Sequence, residues 1–119
     1  MPLDDVARRR LLALVGLGVR GRLVVVGVNQ VRDAALKDEV VIAVVASDVS
    51  RHSIDKVVPL LRARRIRMVE VPSAAELGAA VGREATAAIG VVDRELARGI
   101  QALVEAPAAA RESGPGGAQ

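Results

Sequence analysis

Leu23-Val24-Val25-Val26-Gly27-Val28-Asn29-Gln30-Val31-Arg32 is the stretch whose reading decides the fold. Ahead of it stands Gly16-Leu17-Gly18-Val19-Arg20-Gly21, which fits the G-x-G-x-x-G pattern of dinucleotide sites. That pattern works only between a strand and a helix, because the pyrophosphate rests on the N-terminus of the helix that follows. Arg10 to Val15 would then be the strand and Arg22 to Leu36 the helix. Three consecutive valines closed by Gly27 make a poor helix, since branched side chains lose rotamer freedom against the preceding turn. The run reads instead as a short buried strand, and the glycines at 16, 18 and 21 as a turn from helix to strand. A small nucleotide-binding domain becomes the weakest of the readings that the chain allows.

Working outward, Asp4 or Asp5 caps a first helix through about Leu17, with Val6, Leu11, Leu14 and Val15 near helical spacing. After the strand at Leu23 to Val26, a second helix is predicted from Asn29 to Lys37, with Asn29 as its natural N-cap. Val40 to Ala46 is continuously apolar, the mark of a central strand covered on both faces. A third helix runs from Ser50 or Arg51 to Arg65, and Pro59 within it implies a kink or a late start. Met68 to Val71, preceded by Arg67, is the third strand. Ser73-Ala74-Ala75-Glu76 is a capping box that opens a short helix to Val81. Ala87 to Val92 is the fourth strand, and Asp93 caps a last helix through about Val104. Helices alternating with strands over short connections specify an α/β protein, a three-layer α/β/α sandwich around a mixed four-stranded sheet. One domain over residues 1–105 is expected, followed by a disordered C-terminal tail over 106–119 on its Ala, Gly and Pro content.

The 119 residues suffice for one core, and 51% of them are apolar. Phe, Tyr, Trp and Cys are all absent, so the core is built from branched aliphatics and alanine. Without cysteine there is no disulfide framework, thiolate metal site or cysteine nucleophile. No signal-peptide pattern and no membrane-length apolar run occur, so a cytoplasmic protein without membrane association is expected. The formal charge is +3 and nearly all the cations are arginine, which is weak support for a nucleic-acid partner. The missing aromatics argue against binders that stack single-stranded bases on Phe or Tyr. Any RNA recognition must work by hydrogen bonds, Arg and shape.

Gly27-Val28-Asn29-Gln30-Val31-Arg32 puts two carboxamides and an Arg at the start of a helix directly after a strand. A carboxamide carries donor and acceptor together and can read a base edge, while helix-end N–H groups and Arg suit phosphate oxygens. The plainer account makes Asn29 an N-cap and leaves Gln30 and Arg32 solvated. Catalytic signals are thin: His52 is the single histidine, and His52-Ser53 with Asp48 or Asp55 lacks a nucleophile elbow, an oxyanion motif or a second metal ligand. No enzyme activity, cofactor or metal is expected.

Gly27-Val28-Asn29-Gln30 resembles the glycine–any–asparagine–glutamate signature of the archaeal and eukaryotic kink-turn RNA-binding ribosomal proteins. Val45-Ala46-Ser47-Asp48-Val49 is similar to that family's strand-end segment, Val58-Pro59-Leu60-Leu61 to the helix after it, and Val71 to Gly78 with Val81-Gly82-Arg83-Glu84 to its most recognisable stretch. The likeness spans about residues 10 to 103, and Gly82 through Ala97 looks most like the small bacterial branch found beside ribosomal and translation-factor genes. The resemblance implies a non-catalytic, translation-associated protein that binds structured RNA, kink-turn and ribosomal RNA foremost, with ribosomal proteins as further partners. It places RNA on two surfaces: Gly27, Asn29, Gln30 and Arg32, and the loop Glu84, Ala85, Thr86 and Ala87, whose small side chains let backbone groups press on an extruded nucleotide. Arg20 and Arg22 flank the same strand and are included for phosphate contact. Asp33 stands where many members carry a Lys that reaches the RNA, so Arg32 or Lys37 would supply that cation. Asp33 also keeps open a protein-interaction module that has lost RNA binding. The run Arg62, Arg64, Arg65 and Arg67 is left outside the site, since positive charge at a helix C-terminus already favours the dipole.

Overall fold

The structure, a computed structural model, describes residues 4–105; the predicted tail over 106–119 lies outside the described residues. Helix α1, Asp5–Arg20, is capped by Asp4, whose Oδ1 accepts the Ala7 N–H at 2.8 Å. It runs one turn past the expected end at Leu17, with Gly16 and Gly18 inside it. Close packing explains this. A Cβ on Gly16 would stand 2.9 Å from the Ala80 carbonyl oxygen, and one on Gly18 2.5 Å from Leu96 Cδ2. The two glycines therefore let neighbouring elements approach the α1 backbone.

Strand β1 is Val24–Val26, helix α2 Val28–Leu36 and strand β2 Ile42–Ala46. The single third helix expected to Arg65 is two, α3 at Arg51–Ile54 and α4 at Val58–Ala63. Pro59 sits in the first turn of α4. That turn is where a residue without N–H costs a helix nothing, whereas in mid-helix the ring strikes the carbonyl four residues back. Strand β3 is Arg67–Val71, helix α5 Ala74–Ala80, strand β4 Ala88–Val91 and helix α6 Arg94–Glu105. Ser73 Oγ accepts the Glu76 N–H at 3.1 Å and Asp93 Oδ2 the Leu96 N–H at 2.9 Å, so both predicted caps form. The Glu76 carboxylate does not close its capping box; it pairs with Arg8 at 3.1 Å and ties α5 to α1.

The sheet has the order β1-β4-β2-β3, with β2 parallel to β3 and β4 antiparallel to both β1 and β2. It is mixed, as expected, because three strands run one way and β4 runs back between them. Leu23, Val40, Val41, Ala87 and Val92 fall just outside the ladder, although Val41 N–H still reaches Val91 O at 2.8 Å and Val92 N–H reaches Leu23 O at 2.9 Å. Alternate residues of β2 feed two cores. Ile42, Val44 and Ala46 pack with Leu11, Val15, Leu77, Ile89 and Ile100 beneath α1, α5 and α6. Ala43 and Val45 pack with Val31, Ala35, Val57 and Leu61 beneath α2 and α4. The strand is buried at every residue, so its unbroken apolar run is what a middle layer demands.

Strands β1, β2 and β3 share a direction, so all three start at one end of the sheet and finish at the other. Their finishing end, where β4 begins, holds the start of α2 and the loop that follows α5. Their starting end gathers the helix-to-strand turns.

Candidate nucleic-acid interface

Helix α2 begins one residue earlier than predicted, at Val28, with Gly27 and not Asn29 as its N-cap. Gly27 has φ 98° and ψ 151°, a region that residues with a Cβ all but avoid. This conformation turns the chain from β1 straight into the helix. Gly27 has no side chain with which to cap, so the N–H groups of Val28, Asn29 and Gln30 find no acceptor among the described residues. Open amides and the positive end of the helix dipole then point out of the finishing end of the sheet. Freed from capping, the Asn29 side chain is exposed beside that of Gln30, and neither carboxamide has a partner among the described residues. Arg32 and Asp33 follow one turn further along, both exposed, at the i+3 and i+4 positions from Asn29.

The antiparallel register sets Val26 of β1 opposite Ile89 of β4. It also brings Gly27 N–H to Ala88 O at 2.9 Å, so the N-cap of α2 is hydrogen-bonded to the residue directly after the second predicted surface. The loop from Gly82 to Ala87 is pinned along its length: Arg83 N–H donates to Gly78 O at 2.7 Å, Thr86 N–H to Ala74 O at 3.0 Å, and Ala46 N–H to Ala87 O at 2.8 Å. Asp48, at the end of β2, fixes the start of α5 by accepting the Ala74 N–H at 2.9 Å. Glu84 and Ala85 are exposed and Ala87 is half-buried, but Thr86 is only 5% exposed and serves as the loop's inward anchor.

Gly27 is thus tied to the residue that follows Ala87, and Asn29, Gln30 and Arg32 follow it in the first half of α2, at the same end of the sheet as Glu84, Ala85 and Ala87. Arg20, Arg22 and Lys37 do not join them. Arg22 precedes β1 and Lys37 follows α2, a helix about 13 Å long at about 1.5 Å per residue, so both sit at the starting end of the sheet, as does Arg20. Sequence reasoning missed Gly78. A Cβ there would lie 2.7 Å from Ala85 Cα, 2.8 Å from its N and 2.9 Å from Glu84 C, so the loop rests directly on a bare helix backbone. The available signal was a glycine within an otherwise good helical segment, which usually has a packing reason. His52 is exposed, Ser53 Oγ lies 2.9 Å from Ser50 Oγ in the α3 cap, and Asp48 is committed to Ala74. Among the described residues no cluster of His, Cys, Asp or Glu could hold a metal ion, and no helix is long and apolar enough to cross a membrane.

The model of the ribosomal protein L7Ae/L30e/S12e/Gadd45 family matches residues 11–100. Among solved structures, a protein of unknown function from Bacillus halodurans C is 29% identical at a TM-score of 0.73, the match covering 81% of this chain and 97% of that one. A Giardia lamblia 15.5kD RNA binding protein superposes with a TM-score of 0.75 over 87% of this chain and 88% of its own. At 16% identity that second likeness is one of fold. No curated protein matches.

Proposed function

The chain belongs to the ribosomal protein L7Ae/L30e/S12e/Gadd45 family, and on that premise we propose that it is a non-catalytic RNA-binding protein that holds kink-turn RNA in a ribosomal or translation setting. The observation that carries this reading is the 2.9 Å bond from Gly27 N–H to Ala88 O, which holds the open end of α2 against the loop before β4. Each part has a distinct task. The Asn29 and Gln30 carboxamides read purine edges beside the bend, since each offers a donor and an acceptor. The free amides of residues 28 to 30 and the Arg32 guanidinium meet phosphate oxygens. The exposed backbone at Glu84 and Ala85, with only a methyl group at residue 85, presses on a nucleotide turned out of the helix. Because the loop is pinned at Gly78, Ala74 and Ala46, this surface is ordered before RNA arrives and little entropy is lost on binding.

A gel shift against a kink-turn RNA and a straight duplex of matched length tests the reading, with preference for the kinked RNA expected. Equal or absent binding would sink it. Asp33 favours a second reading, a protein-interaction module on the same fold: the carboxylate is exposed, unpaired among the described residues and one turn from Asn29, where it repels phosphate. That module would bind neither RNA.

A further inference from the structure

At the starting end of the sheet, opposite the α2 surface, the turn α1–β1, the turn α2–β2, the turn α4–β3 and the exit of β4 meet. Val92 N–H donates to Leu23 O at 2.9 Å, Val41 N–H donates to Val91 O at 2.8 Å, and Arg64 pairs with Asp38, so the four connections form one continuous surface. Exposed cations crowd it: Arg20, Arg22, Lys37, Arg62, Arg65 and Arg94 have no ion-pair partner among the described residues. The acids nearby are mostly engaged. Asp38 is held by Arg64, Glu105 by Arg67 at 2.6 Å and Glu95 by Arg98 at 3.6 Å, which leaves Glu39 and the α6 cap Asp93 without a cation among the described residues. Four strands at about 4.8 Å spacing spread these charges over about 15 Å, as a band and not a point.

Cations at helix C-termini are favoured by the dipole, which accounts for Arg20, Lys37 and Arg62 without any ligand. It favours the charge of Arg22 and Arg65 too, since both follow the same helix ends, but it does not account for their backbone. Both adopt left-handed backbone, φ 59° and 58°, at the turn after a helix, as does Asp38 after α2 at φ 60°, whose side chain is used to hold Arg64. That position is the one where glycine ends a helix free of strain and any residue with a Cβ is penalised. Glycine is plentiful elsewhere in this chain, yet arginine occupies these two turns, and both guanidinium groups are exposed and unpaired. An outlier of this kind points to a use for the side chain.

We propose that this arginine band is a second nucleic-acid surface, one that grips the phosphate backbone of an RNA duplex without reading its sequence. The protein is then two-ended, with base-reading groups at the α2 end and a phosphate grip at the other. The band does not depend on the kink-turn reading.

The test uses the full chain and a straight RNA duplex lacking any kink-turn, titrated at several salt concentrations. Wild type is expected to bind with affinity that falls steeply as salt rises, since each phosphate contact adds about 0.7–0.9 to the slope of log affinity against log salt. Arg22→Gly with Arg65→Gly should flatten that slope by about 1.5 and weaken binding roughly tenfold at low salt, with no fall in melting temperature because glycine relieves both turns. Arg20→Gln with Arg62→Gln, at ordinary helical positions, should weaken the duplex similarly, whereas Arg10→Gln, an exposed arginine in the first half of α1 and outside the band, should leave it unchanged. Unaltered duplex binding in both band variants overturns the proposal, as does an equal loss in Arg10→Gln. Arginine-dependent capture by anionic phospholipid vesicles with no binding to duplex also overturns it and identifies a membrane surface instead. If wild type grips duplex but does not prefer kinked RNA, the reading of the α2 end fails while the band stands.

Discussion

Gly78→Ala adds one methyl group under the loop that precedes β4, and its consequence can be worked from distances. The new Cβ would lie 2.7–2.9 Å from three backbone atoms of Glu84 and Ala85, whereas carbon atoms settle at about 3.5–4.0 Å. The loop must therefore rise by about 1 Å, because the obstacle is main chain and cannot rotate aside. Overpacking of this kind costs about 1–3 kcal/mol, and the helix returns about 0.5–1 kcal/mol from replacing glycine. The net is a loss of about 1–2 kcal/mol, or about 5–15 °C in melting temperature for a domain of this size. Gly99→Ala is the control. Gly99 is also within a helix, but its Cβ would meet only Leu14 Cδ1, at 3.8 Å, so the same substitution should stabilise by about 0.5–1 kcal/mol. Thermal melts by circular dichroism give both values, and amide chemical shifts of residues 83 to 87 report whether the loop has moved. RNA affinity should fall about tenfold in Gly78→Ala, the worth of one or two hydrogen bonds to a displaced backbone. If Gly78→Ala melts at or above the parent and its loop amides keep their shifts, the argument that this glycine sets the loop's height is wrong.

Asn29→Ser should melt within about 0.5 kcal/mol of the parent, because the side chain caps nothing, yet lose about 1–3 kcal/mol of preference for kinked over straight RNA in a competition gel shift; retained preference removes Asn29 from recognition. Asp33→Lys should bind kink-turn RNA more tightly and steepen its salt dependence by about 0.7–0.9; no gain in filter binding at two salt concentrations means that Asp33 faces away from phosphate or that RNA is not the ligand. Asp93→Ala leaves the Leu96 N–H without its 2.9 Å acceptor and should cost about 1 kcal/mol in a denaturant melt, with kink-turn binding at the opposite end of the sheet unchanged.

Much of the architecture was legible because local chemistry and global fold agree here. Val24 to Val26 and Ile42 to Ala46 are branched runs with no polar interruption, Ser73 and Asp93 stand where orphan helix amides need an acceptor, and Pro59 announces a helix start. Three features were hidden. Gly16 and Gly18 read as helix breakers because their purpose, contact with Ala80 and Leu96, lies in segments distant in sequence. Asn29 looks like a cap because capping preference carries no information on whether a glycine two residues earlier can turn into the helix at positive φ; Gly27 does so at φ 98° and displaces the start by one residue. The arginines at 20 and 22 seemed to belong with Asn29 because they flank one short strand. A strand has two ends, however, and only the sheet's directions reveal which residues share one.

The place of β4 between β1 and β2 bears on the order in which a growing chain can become competent. Among the described residues strand β1 has no neighbour other than β4, so when the ribosome has released residues up to the end of α5, β2 and β3 can zip together while β1 still waits. Such long-range pairing is slow to form, because a large loop must close before any contact rewards it. The Gly27 amide gains its acceptor, Ala88, only when the fourth strand threads into the gap. A nascent or truncated chain ending before Ala88 therefore holds every residue of the α2 surface but lacks the bond that fixes its first residue to the sheet, and that bond becomes possible only once synthesis has passed the start of β4.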